Sequence, residues 1–337
     1  MNRKSFLSGL VPLTASYNLY AQELYEPERP AIKPPYLQMG DTIGITSPAG
    51  FISREEIEPA VQKLYEWGFV CHFGNTIGKR DFTFGGTDTE RTADLQQLLD
   101  DKKIKAILCA RGGYGMVRII DTLDFTRFLL HPKWIIGFSD ITVLHSHLNR
   151  NYGIASIHSK MCNSFPDDWD RAEPVQRETI ESIRNCIVGS KMDYAFLPNL
   201  KNKTGKATGV LVGGNLKTLE SMAGSKSDLV TKNKILFLED TGEYLYSLDR
   251  MLWNLKRSGK LSGLKGLIIG GFKIKKDEAG EEFGKTLHEI VLEKVNGYTY
   301  PVCFDFPVGH QKNNFALKCG MLHQLTVQIN KCSLTEI

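Results

Sequence analysis

The sequence predicts an α/β protein of two domains, the first built on a parallel sheet covered by helices on both faces. Two observations carry this. Short apolar runs alternate with amphipathic segments of helical period along most of the chain, the pattern of a parallel sheet with crossover helices. At 337 residues the chain is also long enough for two cores. A break in the pattern at Val188–Lys206, which holds Pro198, Asn199, Asn202 and Gly205, reads as the crossover between them.

Thr42–Thr46 reads as the first strand. Ser53 and Glu56 form a capping box that opens a helix to Trp67, stopped by Gly68. Strand Phe69–Phe73, helix Thr87–Lys103 with Leu95, Leu98 and Leu99 on one side, and strand Lys105–Ala110 follow. Next come helix Tyr114–Leu123, strand Trp134–Phe138, helix Ile141–Asn149 and strand Ile154–His158, and the domain closes near Cys186. The second domain reads as strand Gly209–Val212, helix Leu216–Ala223, strand Lys234–Glu239 and helix Leu245–Lys256. Strand Gly266–Gly271, helix Thr286–Val295 and strand Tyr300–Phe306 follow, with Gln324–Ile329 as an edge strand. The expected division is residues 1–22 as an export signal, 23–36 as a Pro/Glu-rich linker, 37–186 as the first domain, 187–206 as the crossover and 207–337 as the second domain.

Composition removes several classes of function. Apolar content of 42% and charged content of 24% are those of an ordinary globular protein. The net charge of +4 is small, and no basic block is interleaved with aromatics, which argues against a nucleic-acid partner. Seven dispersed cysteines with no C-x-x-C pair fit neither a disulfide framework nor a zinc cluster. No segment reaches the ~18–20 apolar residues of a membrane span. At the N-terminus, Arg3 and Lys4 precede the mildly apolar run Phe6–Ala15, and R-K-S-F-L resembles a degenerate twin-arginine export signal. The alternative is a disordered or docked N-terminal arm.

The chemistry-bearing residues sit where strands end, the place at which open parallel sheets collect ligands. Ser139 lies between strand Trp134–Phe138 and the helix after it, in G-F-S-D. A serine on such a turn is either the exposed nucleophile of a strand-to-helix elbow or a helix N-cap. Strand Lys105–Ala110 runs into Arg111-Gly112-Gly113-Tyr114-Gly115, whose backbone N–H groups can meet an oxyanion or a phosphate. The dinucleotide fingerprint fails there because Arg118 stands where a third glycine or alanine is needed. Glu239-Asp240 ends one strand and Pro307-Val308-Gly309-His310 another. Ser139, Glu239 and His310 thus follow the order nucleophile, acid, base, one recurrent triad layout. His145 and His147, two apart on one helix, point to different faces and read as packing or surface residues. His158 ends a strand at the expected pocket.

Taken together, R-G-G-Y-G at Arg111, I-G-F-S-D-I-T at Ile136, L-E-D-T-G-E at Leu238 and Gly309-His310 resemble the serine LD-carboxypeptidases. That family includes the microcin C self-immunity hydrolases. The resemblance runs from about Pro35 to about Leu325 with its blocks in order. It implies a flavodoxin-like N-terminal domain carrying the nucleophile and a smaller swivelling β/α C-terminal domain carrying acid and base, commonly as a homodimer. It puts the nucleophile on Ser139, the acid on Glu239, the base on His310 and the oxyanion donors on Gly113 and Asp140, and it implies no metal or organic cofactor. Phe138 stands where tyrosine is common, and His158-Ser159-Lys160-Met161 where the family often has His-Gly-Pro-Met. Lys160, Arg111 and His158 are the candidate substrate contacts.

The first functional expectation is a serine hydrolase that removes the terminal D-alanine from a murein tetrapeptide, or acts on another peptide ending in a D-residue. The second is a hydrolase of peptidyl-nucleotides or other acylated small molecules, for which Trp169 and Trp253 are candidate base-stacking platforms. The third is a binding protein without catalysis, a role that has no need of all three triad residues.

Overall fold

A computed structural model describes residues 31–337 of the chain. The export segment Met1–Gln22 and residues 23–30 of the linker lie outside the described residues. Where the linker is described, it is tied down. Ile32 bridges Ile154, Pro35 accepts the Trp134 Nε1–H at 3.0 Å, and Tyr36 stacks on the Trp134 ring.

The first domain runs β1 (Thr42–Thr46), α1 (Glu58–Glu66), β2 (Val70–Phe73), α2 (Asp88–Asp100) and β3 (Ile104–Cys109). It continues with α3 (Met116–Ile119), α4 (Thr126–Leu130), β4 (Trp134–Gly137), α5 (Thr142–Tyr152), β5 (Ser156–His158) and α6 (Pro174–Ile187). Local signals explain most of these boundaries. Thr87 and Glu90 cap α2 reciprocally, with Thr87 N–H to Glu90 Oε2 at 2.9 Å and Glu90 N–H to Thr87 Oγ1 at 3.3 Å. The Ser53–Glu56 box also forms, but the turn it opens is a 3-10 turn, Glu55–Ile57, ahead of α1. The helix expected at Tyr114–Leu123 is shorter, because Gly115 at φ 147° keeps the chain out of helical geometry until Met116.

The second domain runs β6 (Asp193–Phe196), β7 (Gly205–Asn215), α7 (Leu216–Ser221), β8 (Lys234–Glu243), α8 (Leu245–Arg257) and β9 (Gly266–Ile274). After these come α9 (Leu287–Val295), β10 (Val302–Cys303), β11 (Leu317–Cys319), β12 (Leu322–Val327) and β13 (Cys332–Glu336). The strand expected at Tyr300–Phe306 shrinks to two residues. Pro301 has no N–H, Asn202 Oδ1 takes the Phe304 N–H at 2.7 Å, and Asp305 turns the chain at φ 58°. The crossover expected at residues 187–206 contains a strand of its own, β6.

In the first sheet the order β2-β1-β3-β4-β5 is parallel throughout, the flavodoxin-like arrangement with its switch point between β1 and β3. A sixth strand, β11, comes from the far end of the chain and pairs antiparallel with β5, Leu317 opposite His158. The second sheet has the order β10-β9-β8-β7-β12-β13-β6, parallel from β10 to β7 and antiparallel beyond. The expectation that Gln324–Ile329 is an edge strand is therefore corrected: β12 lies between β7 and β13. Its outer neighbour is the alternating C-S-L-T-E run at the C-terminus. One apolar core joins Ile107, Ile135 and Leu144 of the first domain to Val212, Leu238 and Leu252 of the second. Among the described residues no helix is long and apolar enough to cross a membrane.

The two sheets are also joined by a buried ion pair. Lys318 of β11 is fully buried and donates to Glu336 Oε2 of β13 at 2.8 Å, to Tyr36 Oη at 3.1 Å and to the Ser190 carbonyl at 3.1 Å. Burial alone would favour the neutral amine, but the bonds to Glu336 and Tyr36 outweigh it and raise the Lys318 pKa. Removing one partner would strand a buried charge. Glu336→Ala is expected to destabilise the fold by about 3–5 kcal/mol in urea unfolding. The Lys318→Met/Glu336→Leu double variant should lose less than Glu336→Ala alone.

Candidate active site

β4 is wholly buried and apolar, and it delivers Ser139 to the carboxyl edge of the sheet. Phe138 is extended at φ −153°, and Ser139 then enters the left-handed region at φ 62° before a 3-10 turn leads into α5. A residue with a Cβ pays roughly 1–2 kcal/mol for that conformation. A helix N-cap would need extended backbone and a side-chain bond into the first turn. Ser139 has neither, and its hydroxyl bonds no described residue. The elbow alternative therefore describes this turn, and the cap alternative does not.

The loop after β3 passes directly beside the serine. A Cβ on Gly112 would lie 3.1 Å from Ser139 Cβ and 3.3 Å from its Oγ. Gly113 follows at φ 99°, and its N–H bonds no described backbone group. Gly50 N–H, from the loop after β1, donates to the Gly112 carbonyl at 2.9 Å, so the two loops at the switch point hold each other. Arg91 of α2 is fully buried behind them. Its Nη1 donates to the Pro48 carbonyl at 2.6 Å and the Gly115 carbonyl at 2.9 Å. The Asp140 carboxylate accepts the Met116 N–H at 2.7 Å and so fixes the start of α3 from the serine's turn. Burial pushes the Asp140 carboxyl up to about 6, opposed by the Met116 N–H and the Arg91 charge.

The candidate acid and base come from the second domain. Glu239, in β8, is fully buried, and its Oε2 lies 2.5 Å from His310 Nδ1. A carboxylate only accepts, so Nδ1 carries the proton and Nε2 is left as an acceptor. The other two acids considered near this strand end are engaged elsewhere. Asp240 accepts from Asn215 Nδ2 at 2.9 Å, Thr241 N–H at 2.7 Å and Lys217 N–H at 3.0 Å, and Glu243 accepts from Ser247 Oγ at 2.5 Å. His310 sits on the segment between β10 and β11. That segment can run alongside Glu239 because residue 309 is glycine: a Cβ there would fall 2.4 Å from Glu239 Cβ. The His310 imidazole packs on Phe138, ring centroids 4.9 Å apart, which sets it against the residue preceding Ser139. Ser139 and His310 share no hydrogen bond in this structure.

The three candidate substrate contacts are placed differently from one another. Arg111 is exposed and donates to the Phe51 carbonyl at 3.0 Å. Lys160 is half-buried, and its Nζ donates to the Gln311 carbonyl at 2.7 Å. His158 corrects the expectation of a pocket-lining residue. It is 0% exposed, with the Phe138 and Phe237 rings edge-on to its own. Burial holds His158 well below the usual imidazole pKa and brings the neighbouring His145 down to about 4. His145 and His147 are both buried packing residues. Trp169 and Trp253 each carry a lysine ammonium over the ring, Lys63 at 3.7 Å and Lys294 at 4.9 Å.

Arg91, Asn314 and the Asp140 carboxylate escaped the sequence reading. Arg91 left a signal, a charge four residues before Leu95 on the apolar side of α2. Asn314, whose Oδ1 takes the Gly309 N–H at 2.7 Å, left none. The contact between Gly112 and Ser139 yields a direct test. Gly112→Ala should slow acylation of Ser139 by a fluorophosphonate on the order of 10²-fold, because a small displacement of a reacting group costs about that much. Thermal melting should change little.

Comparison with known proteins gives one answer along the chain. The LD-carboxypeptidase N-terminal domain matches residues 43–159, and the LD-carboxypeptidase C-terminal domain matches residues 208–325. The "Probable murein peptide carboxypeptidase" of Bacillus subtilis is 31% identical over 296 residues, covering 86% of this chain and 89% of that protein. The microcin C7 self-immunity protein of Escherichia coli is 26% identical over 334 residues, covering 89% of this chain and 94% of that protein. The crystal structure of a muramoyltetrapeptide carboxypeptidase from Oxalobacter formigenes superposes with a TM-score of 0.76 at 25% identity, covering 88% of this chain and 98% of that one. The chain belongs to the LD-carboxypeptidase family and is a serine-type carboxypeptidase of the hydrolase class.

Proposed function

We propose that the protein removes the terminal D-alanine from murein tetrapeptides with a Ser139–His310–Glu239 triad, acting as an exported homodimer. The observation that carries this reading is the Glu239–His310 bond at 2.5 Å, with the imidazole packed on the residue before a left-handed serine. Apo triads are often loose between nucleophile and base and tighten on substrate.

In this reading His310 Nε2 takes the Ser139 Oγ proton as Oγ attacks the scissile carbonyl. The Gly113 and Asp140 N–H groups face the oxyanion. The C–N bond then breaks, His310 gives its proton to the leaving nitrogen, and free D-alanine departs from an acyl-Ser139 ester. Water, deprotonated by His310, cleaves the ester and restores the hydroxyl. Glu239 holds the imidazole tautomer and balances the imidazolium charge.

Mass spectrometry of murein tetrapeptide is the test. Ser139→Ala should abolish D-alanine release with the fold intact, His310→Ala should be about as severe, and Glu239→Gln should lose less. Amidating the terminal carboxylate should lower kcat/KM about 10–150-fold, the cost of losing one charge-assisted contact of ~1.5–3 kcal/mol. Equal cleavage of acid and amide would replace the carboxypeptidase reading with a broader acyl hydrolase of the self-immunity type. For export, the expected result of cell fractionation is protein outside the cytosol, starting near Glu23. Full-length protein in the cytosol alone would overturn it.

A further inference from the structure

We propose that Lys160 is a positioning residue for His310, tying the base-bearing loop of the second domain to the edge of the nucleophile's sheet. The inference rests on the triad reading above, and it gives Lys160 a different task from contacting the substrate. Lys160 lies two residues beyond β5 in the first domain, and Gln311 follows His310 in the second. The bond from Lys160 Nζ to the Gln311 carbonyl, 2.7 Å, therefore spans the two domains one residue from the imidazole. The same Nζ sits 5.7 Å from the centre of the Phe138 ring, and His310 packs on that ring at 4.9 Å. Phe138, Lys160 and His310 thus form one packed group beside Ser139.

Three of the loop's other bonds have a different effect. Gly309 N–H to Asn314 Oδ1 at 2.7 Å, Gly271 N–H to the Val308 carbonyl at 2.7 Å and Gln311 Nε2 to the Phe306 carbonyl at 3.0 Å all lie within the second domain. They fix the loop's shape and its seat on Glu239. They do not fix its distance from the turn that carries Ser139. The pairing of β11 with β5 anchors the loop's far end to the first sheet. Lys312 Nζ, two residues past His310, also reaches the first domain at Glu173 Oε1, 2.5 Å, but both side chains are more than half exposed, where an ion pair holds little. Lys160 supplies the half-buried tie next to His310.

The charged and titratable groups facing Nζ are Lys273 from β9, Glu239 from β8, and His158 at the end of β5; His310 lies across the Phe138 ring. Burial, then Lys273, push the Lys160 ammonium down to about 8, while Glu239 opposes them. An ammonium already given to a protein carbonyl, in a half-buried position, suits a tether better than a carboxylate receptor.

The test uses the full chain with Lys160→Met and Lys160→Arg. Three rates are read: Ser139 labelling by a fluorophosphonate, which needs no murein, and kcat on the free-acid and amidated tetrapeptides. Lys160→Met should slow all three about 10–150-fold and leave the ratio of acid to amide as in the wild type. Lys160→Arg, which keeps a charged donor, should recover most of the loss. Wild-type labelling should fall as pH rises through about 8, where the ammonium is lost, and Lys160→Met should lack that limb. Lys160→Ala takes the same measurements where the methionine variant does not fold. A loss confined to the free-acid peptide with normal labelling would make Lys160 a substrate contact and overturn the proposal, as would three unchanged rates. Wild-type protein whose Ser139 resists labelling altogether would strike the triad reading itself, and the inference with it.

Discussion

Between β10 and β12 the chain leaves the second sheet, adds β11 to the edge of the first, and returns. This excursion is the constraint on which the site depends, because His310 lies on its outward leg. His310 is held at one end by the sheet that carries Glu239 and at the other by the sheet that delivers Ser139. Lys318 and Glu336 lock the excursion with a bond between buried charges, and such a pair tolerates no partial loss. Neither domain alone could set the distance between Ser139 and His310.

Around that frame, close approach of backbones replaces bulky packing. Gly112 lets the loop after β3 lie against Ser139, and Gly309 lets the His310 segment lie against Glu239. The strain of a left-handed serine persists because its surroundings over-determine it. β4 is buried, the Asp140 carboxylate is bonded to Met116, and Arg91 bonds the Pro48 and Gly115 carbonyls of the two loops.

Much of this was legible in the sequence because it rests on local signals. The capping box at Ser53, the helix start at Thr87, the alternation of apolar strands with helices, and the chemistry-bearing residues just past strand ends all declare themselves within a few positions. What was not legible depends on partners far away in the chain. β11 is three residues long and pairs with β5 across some 160 positions, so no periodicity marks it. β12 reads as an edge until β13 is counted beside it. His158 looks like a pocket residue by its place at a strand end, yet Phe138 and Phe237 close over it. Lys160 reads as a candidate substrate contact, and nothing near it in sequence shows that its Nζ bonds the carbonyl of residue 311.

The borrowed strand also bears on how such an enzyme can be divided. A fragment ending at Cys186 would hold the strand order β2-β1-β3-β4-β5 and the turn with Ser139, yet β5 would become an open edge. Ser156, Ile157 and His158, all buried in the whole chain, would present unpaired backbone groups and an apolar face to solvent. Such an edge is a template for pairing with a second copy of itself. The two halves are separable as sequence blocks but not as folding units, so domain exchange between relatives would have to carry Leu317–Cys319 along with the nucleophile's half.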